Sequence, residues 1–92
     1  EELHIDRAFM GTIGISLDAG MTTTDAGEAY TKELVMQRAR EVVLLADSGK
    51  VGVVTFAHAG KLSEVGTLVT EAPLPEDYEE YCQDNGIRVV VA

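Results

Sequence analysis

Asp47, Ser48, Gly49 and Lys50 follow directly on the apolar run Val42 to Ala46, so a carboxylate, a hydroxyl, a flexible glycine and an ammonium gather at one strand end. Ligands sit at such ends in open α/β sheets. A second strand candidate, His4 to Met10, carries Asp6 and leads into a Gly- and Thr-rich stretch that includes Thr22 and Thr23. Further on, Glu28 and Lys32 stand four residues apart. This mixture suits a polyol that bears phosphate: lysines neutralise the anion, while acids and threonine hydroxyls bind its hydroxyl groups.

Each of these residues also has a plainer role. An acid within a strand is costly unless paired, so Asp6 either binds ligand or meets a base. Asp47 and Lys50 can form a local ion pair or a turn cap. Glu28 and Lys32 are in the favourable order for an exposed helix pair, worth only about 0.2–0.5 kcal/mol. Threonines ahead of a helix often cap it.

Other chemistries lack their residues. His4 and His58 are far apart, with no Cys, Asp or Glu at metal-ligand spacing, so no metal centre is expected. There is no Ser/His/Asp nucleophile set and no dinucleotide fingerprint. Gly49-Lys50 lacks the earlier glycine and the following Ser or Thr of a P-loop. The single cysteine, Cys82, excludes an internal disulfide and reads as a buried, inert thiol in a helix.

The elements that must position these groups follow from pattern. Residues 3–10 read as a strand stopped by Gly11, and Gly11 to Thr24 as a long loop. Asp25 caps a helix that runs to about Arg40, with Ala26, Ala29, Tyr30 and Leu34 as the sheet-facing stripe, Val35, Met36 and Ala39 widening it, and Arg38 and Arg40 in the last turn. Glu41 to Ala46 reads as a central parallel strand, and Val51 to Ala59 as extended. Leu62 to Val65 is expected to form a helical turn, followed by a short strand over Thr67 to Thr70. Pro75 suits the first position of a helix ending near Asn85, with Tyr78, Tyr81 and Cys82 on its apolar face and Gly86 as its left-handed stop. Ile87 to Val91 makes a last strand. Alternating strands and helices indicate a parallel α/β architecture with right-handed crossovers.

Ninety-two residues allow one modest domain or part of one, and the start at Glu1-Glu2-Leu3-His4-Ile5, with little before a strand, suggests a part. Sixteen acids against seven bases give a net charge of −9, which argues against unaided binding of a phosphate backbone. No apolar run is long enough to span a bilayer, and a cytoplasmic location is the default expectation.

Laid out this way, the chain resembles the C-terminal sensor domain of DeoR-type bacterial transcription regulators, a relative of ribose-5-phosphate isomerase. The resemblance rests on Ile5 to Gly11, Gly14-Ile15-Ser16 with Gly20-Met21-Thr22-Thr23, Glu28 to Lys32, Leu45 to Gly52, and Leu62 to Val65 with Thr67 to Thr70. Gly66 and Glu71 depart from it, standing where such regulators usually carry an acid and an Asp. It implies a mostly parallel Rossmann-like sheet with flanking helices. It also implies a phosphorylated sugar or related metabolite as effector, and DNA contact only through a winged helix-turn-helix that this segment lacks. On this reading residues 1–92 are the later part of the sensor, the first half with its phosphate loop being absent. Exposed sheet edges are then expected to favour self-association into a homo-oligomer.

The expected ligand set is Asp6, Thr22, Thr23, Glu28, Lys32, Asp47 and Lys50, with Asp6 and Asp47 on a common rim. Aligned on the isomerase's Asp-Gly-Ala-Asp-Glu segment, Asp6 keeps the first aspartate while Phe9 replaces the second. The isomerase's glutamate base falls at Lys32, with Glu28 one turn earlier. Proton transfer between carbons needs a carboxylate base, so these replacements favour binding without turnover. The alternatives are a sugar-phosphate isomerase or transferase relative, and a receiver-like domain phosphorylated on Asp47; the latter is disfavoured because no acidic pair follows the first strand.

Overall fold

The computed structural model describes residues 4–92, so Leu3, with which the first strand was expected to begin, lies outside the described residues. Four strands form a parallel sheet in the order β1-β4-β6-β7: β1 (Ile5–Gly11), β4 (Ala39–Leu45), β6 (Thr67–Thr70) and β7 (Arg88–Val91). A three-stranded antiparallel sheet, in the order β2-β3-β5, comprises β2 (Gly14–Ser16), β3 (Gly20–Thr23) and β5 (Ala57–Gly60). Two helices, α1 (Ala26–Arg38) and α2 (Glu76–Asp84), complete the α/β architecture expected from the sequence.

The later half of central strand β4, Val42 to Leu45, is apolar, and its inward residues meet the core: Leu44 has 0% of its surface exposed. Its register is Gly11↔Leu45 against β1 and Leu45↔Val69 against β6, which aligns the ends of three strands. Helix α1 starts at Asp25, whose Oδ1 accepts the Glu28 amide at 3.0 Å. It ends at Arg38, two residues earlier than expected, because Ala39 turns directly into extended backbone. Arg40 therefore belongs to β4 and caps no helix.

The buried stripe of α1 is also narrower than the expected one. Ala29 and Met36 are buried, whereas Ala26 and Tyr30 are exposed. The helix packs against β5 as well as β1, and Gly60 leaves room for Met36: a Cβ there would lie 2.8 Å from its sulfur. Helix α2 follows the reading closely. Tyr78 and Cys82 are buried, Tyr81 packs partly against the core, and Gly86 stops the helix at φ +67°.

The Gly11–Thr24 stretch is not a loop throughout, because it contains the β2–β3 hairpin. Its glycines are steric requirements that sequence alone reads as looseness. A Cβ on Gly14 would stand 2.2 Å from the Val53 carbonyl oxygen, and Gly20 turns the chain at φ +71°. Of the expected extended stretch Val51–Ala59, only Ala57 onward forms a strand, while Val51 makes an isolated bridge to Ile15. The helical turn at Leu62–Glu64 and strand β6 occur where expected.

Candidate functional site at the carboxyl ends of the parallel strands

The strand ends bring together Gly11 and Thr12 after β1, Ala46 to Lys50 after β4, and Glu71 after β6. Lys32 reaches this rim from α1: its Nζ donates to the Gly11 carbonyl. Gly11 is the register partner of Leu45, so the residue that holds the ammonium stands one strand spacing, roughly 4.8 Å, from the end of β4. One donor of the ammonium is spent on this contact, which leaves two for a ligand.

The turn after β4 is built from both sides. Asp47 caps a 3-10 turn over Ser48–Lys50, its Oδ1 accepting the Gly49 amide at 3.0 Å. Ser48 gives its amide and its hydroxyl to the two carboxylate oxygens of Glu71, at 2.8 and 2.6 Å. Those bonds hold the Glu71 carboxyl below its ordinary value of 4.5, the Ser48 hydroxyl being the largest cause. Two acids thus fix the backbone that carries Lys50, a half-buried cation at the rim. Glu71 was not expected in the site, although its position directly after a strand matches that of Asp47.

Glu28 accepts the Thr23 hydroxyl at 3.0 Å and lies one turn before Lys32 on α1. Thr23 is 1% exposed and Thr22 2% exposed. The Thr22 hydroxyl oxygen accepts the Thr55 amide at 3.0 Å. Both threonines therefore use their hydroxyls inside the fold, Thr23 orienting Glu28 and Thr22 anchoring the segment after Val51.

Asp6 does not join this group. It lies between the pairs Ile5↔Ala39 and Arg7↔Glu41, which places it opposite Arg40 at the beginning of the strands. Five residues separate it from Gly11, roughly 16 Å at about 3.3 Å per strand residue, and Asp47 lies beyond that level. The common rim expected for Asp6 and Asp47 is thereby overturned. Parallel strands end together, so an acid near the start of one cannot meet an acid past the end of its neighbour. Asp6 instead lines an open cavity with Arg7, Arg40 and Glu41, where Arg7 pairs with Glu41 at 2.9 Å.

The same register moves the isomerase comparison. Phe9 is two residues short of the strand end and 65% exposed, and β1 presents Gly11 and Thr12 at the rim. Neither carries a carboxylate. Elsewhere, burial raises the Cys82 thiol and keeps it unreactive, with Glu79 adding to the shift. Among the described residues no helix is long and apolar enough to cross a membrane.

Comparison with known proteins agrees with this architecture. A family model described as the DeoR C terminal sensor domain matches residues 1–72. The transcriptional regulator GlpR of Haloferax volcanii is 34% identical over 98% of the chain, which spans 35% of that regulator. IolR of Bacillus subtilis is 33% identical over the whole chain and 37% of its own length. The glycerol-3-phosphate regulon repressor of Escherichia coli is 27% identical over 96% of the chain and 35% of its own. The chain thus spans about a third of the length of these curated relatives, all transcription regulators, and it belongs to the DeoR C-terminal sensor domain family.

Proposed function

We propose that this sensor segment binds a phosphorylated sugar or related metabolite at the carboxyl ends of β1 and β4, and that occupancy controls DNA binding by a winged helix-turn-helix elsewhere in the regulator. The observation that carries the reading is the Lys32 ammonium held on the Gly11 carbonyl, beside the strand end that opens into the Asp47–Lys50 turn. Two cations flank one rim, and ordered acids and amides surround them. That arrangement suits an anion joined to hydroxyl groups. The E. coli relative's name, which ties it to the glycerol 3-phosphate regulon, favours a phosphorylated polyol or sugar.

Within this reading Lys32 and Lys50 neutralise phosphate, Glu28 and Asp47 accept hydrogen bonds from hydroxyls, Thr23 orients Glu28, and Thr22 holds the backbone at Thr55. Binding proceeds without turnover. The end of β1 offers no carboxylate to take a proton from carbon, and one Asp47 oxygen is spent on its cap. Effector binding shifts the balance between arrangements of the DNA-binding domains, in the cytoplasm where the DNA is.

A thermal-shift panel of phosphorylated sugars and their unphosphorylated parents on the whole regulator tests the reading. Phosphorylated compounds are expected to raise the melting temperature selectively. Equal shifts from the unphosphorylated parents, or conversion of an aldose phosphate to its ketose, would refute it.

A further inference from the structure

Helix α1 and strand β5 enclose an open groove of about 370 Å³ that shares no residue with the rim. Its floor is small, since Ala29 and Ala57 are buried alanines. Its walls are two aromatic rings, Tyr30 from the helix and Phe56 from the segment before β5, 68% and 77% exposed. Single exposed apolar side chains are ordinary on a protein surface, whereas aromatic rings gathered on one groove mark an interaction site.

The polar groups of the groove select its occupant. Glu33 follows Tyr30 by three residues on α1, which puts the two side chains on one helix face. It is half-buried, and among the described residues it has no hydrogen-bond or ion-pair partner. A carboxylate partly withdrawn from water without a partner is costly, so the position favours an incoming cation. His58 Nδ1 donates to the Ala19 carbonyl at 2.8 Å, which in the neutral ring leaves Nε2 as a further acceptor. The faces of aromatic rings also attract cations. The net charge of −9 adds a long-range pull on basic partners.

Strand β5 is the edge of its sheet. Its only strand partner among the described residues is β3, so its outer N–H and C=O groups can pair with an extended chain. A second copy fits less well. A two-fold contact would lay the same groove on itself, and among the described residues no lysine or arginine lines it to meet Glu33.

We infer that this groove docks an extended basic peptide segment of a partner protein. The segment adds a strand to the edge of β5. Because alternate side chains of a strand share a face, it sets an arginine or lysine between Tyr30 and Phe56, where the cation meets Glu33. The inference is independent of what the rim binds.

Fluorescence polarisation of a labelled Thr-Arg-Thr-Arg-Thr-Arg peptide with the whole regulator tests it, with Thr-Glu-Thr-Glu-Thr-Glu as the control. The arginine peptide is expected to bind more tightly than the glutamate peptide by about tenfold or more. Glu33→Gln, Tyr30→Ala and Phe56→Ala should each weaken it by about fivefold or more. Glu80→Gln removes the same charge from the exposed side of α2 and should leave binding unchanged. Equal weakening by Glu33→Gln and Glu80→Gln would reduce the attraction to bulk charge and overturn the inference, as would no binding at all. Hydrogen exchange of the unaltered regulator guards against variants that fold poorly. The Ala57–Gly60 amides should exchange more slowly once the arginine peptide is added, and unchanged exchange there also overturns the proposal. So does protection of these amides that exists without peptide and disappears on dilution, which would assign the edge to a second copy.

Discussion

Replacing Thr22 by Val tests whether this residue serves the fold or the ligand. The side chain is 2% exposed, and its hydroxyl oxygen accepts the Thr55 amide at 3.0 Å. Valine keeps the shape and leaves that amide unpaired in a half-buried segment. The cost of such an orphaned donor is about 1–3 kcal/mol. For a domain of this size each kcal/mol lowers the melting temperature by about 4–8 °C. The expected result in urea is a lower midpoint with an unchanged slope. Thr22→Ser keeps the acceptor and loses a methyl, about 0.8 kcal/mol, so it separates the hydrogen bond from packing. The decisive readout is hydrogen exchange at Thr55, fast in Thr22→Val and slow in Thr22→Ser. A Thr22→Val protein with wild-type melting temperature and a protected Thr55 amide would refute the structural role.

Leu44→Ala empties the centre of β4 and is expected to cost about 2–5 kcal/mol in denaturant unfolding. Ser48→Ala removes the main cause of the lowered Glu71 carboxyl, so titration followed by NMR should move toward its ordinary value of 4.5. Because the folded value is depressed, the Glu71–Ser48 contacts contribute stability above about pH 4.5, lost as pH falls through the folded value, and Ser48→Ala should lose that part of the acid dependence. Cys82, 1% exposed, should resist a thiol reagent in the native chain and react fully on unfolding.

The long elements were legible because their signals are strong. The apolar run of β4, the Asp25 cap and the Pro75-to-Gly86 helix each have a period or a boundary residue that only one element satisfies. The hairpin of β2 and β3 was not legible, since strands of three and four residues show no period and Gly14 and Gly20 read as breakers. Their necessity lies in the approach of Val53 and Gly60, segments about forty residues away in sequence. At the rim, the positions of Asp47 and Lys50 are legible from the strand end and those of Glu28 and Lys32 from helical spacing. The position of Asp6 is not legible, because the pairing register fixes which end of a strand an acid occupies. Glu71 was missed because it pairs with Ser48, a partner on another strand's loop.

The most direct test of the rim as effector site is calorimetric titration of the whole regulator with the phosphorylated sugar that raises its melting temperature most. Lys32→Met and Lys50→Met should each weaken binding by about tenfold or more, the loss of a charge-assisted contact of roughly 1.5–3 kcal/mol. Asp6→Asn, at the far end of the strands, should bind like the unaltered protein. Undiminished affinity in both lysine variants, or a loss confined to Asp6→Asn, would contradict the account.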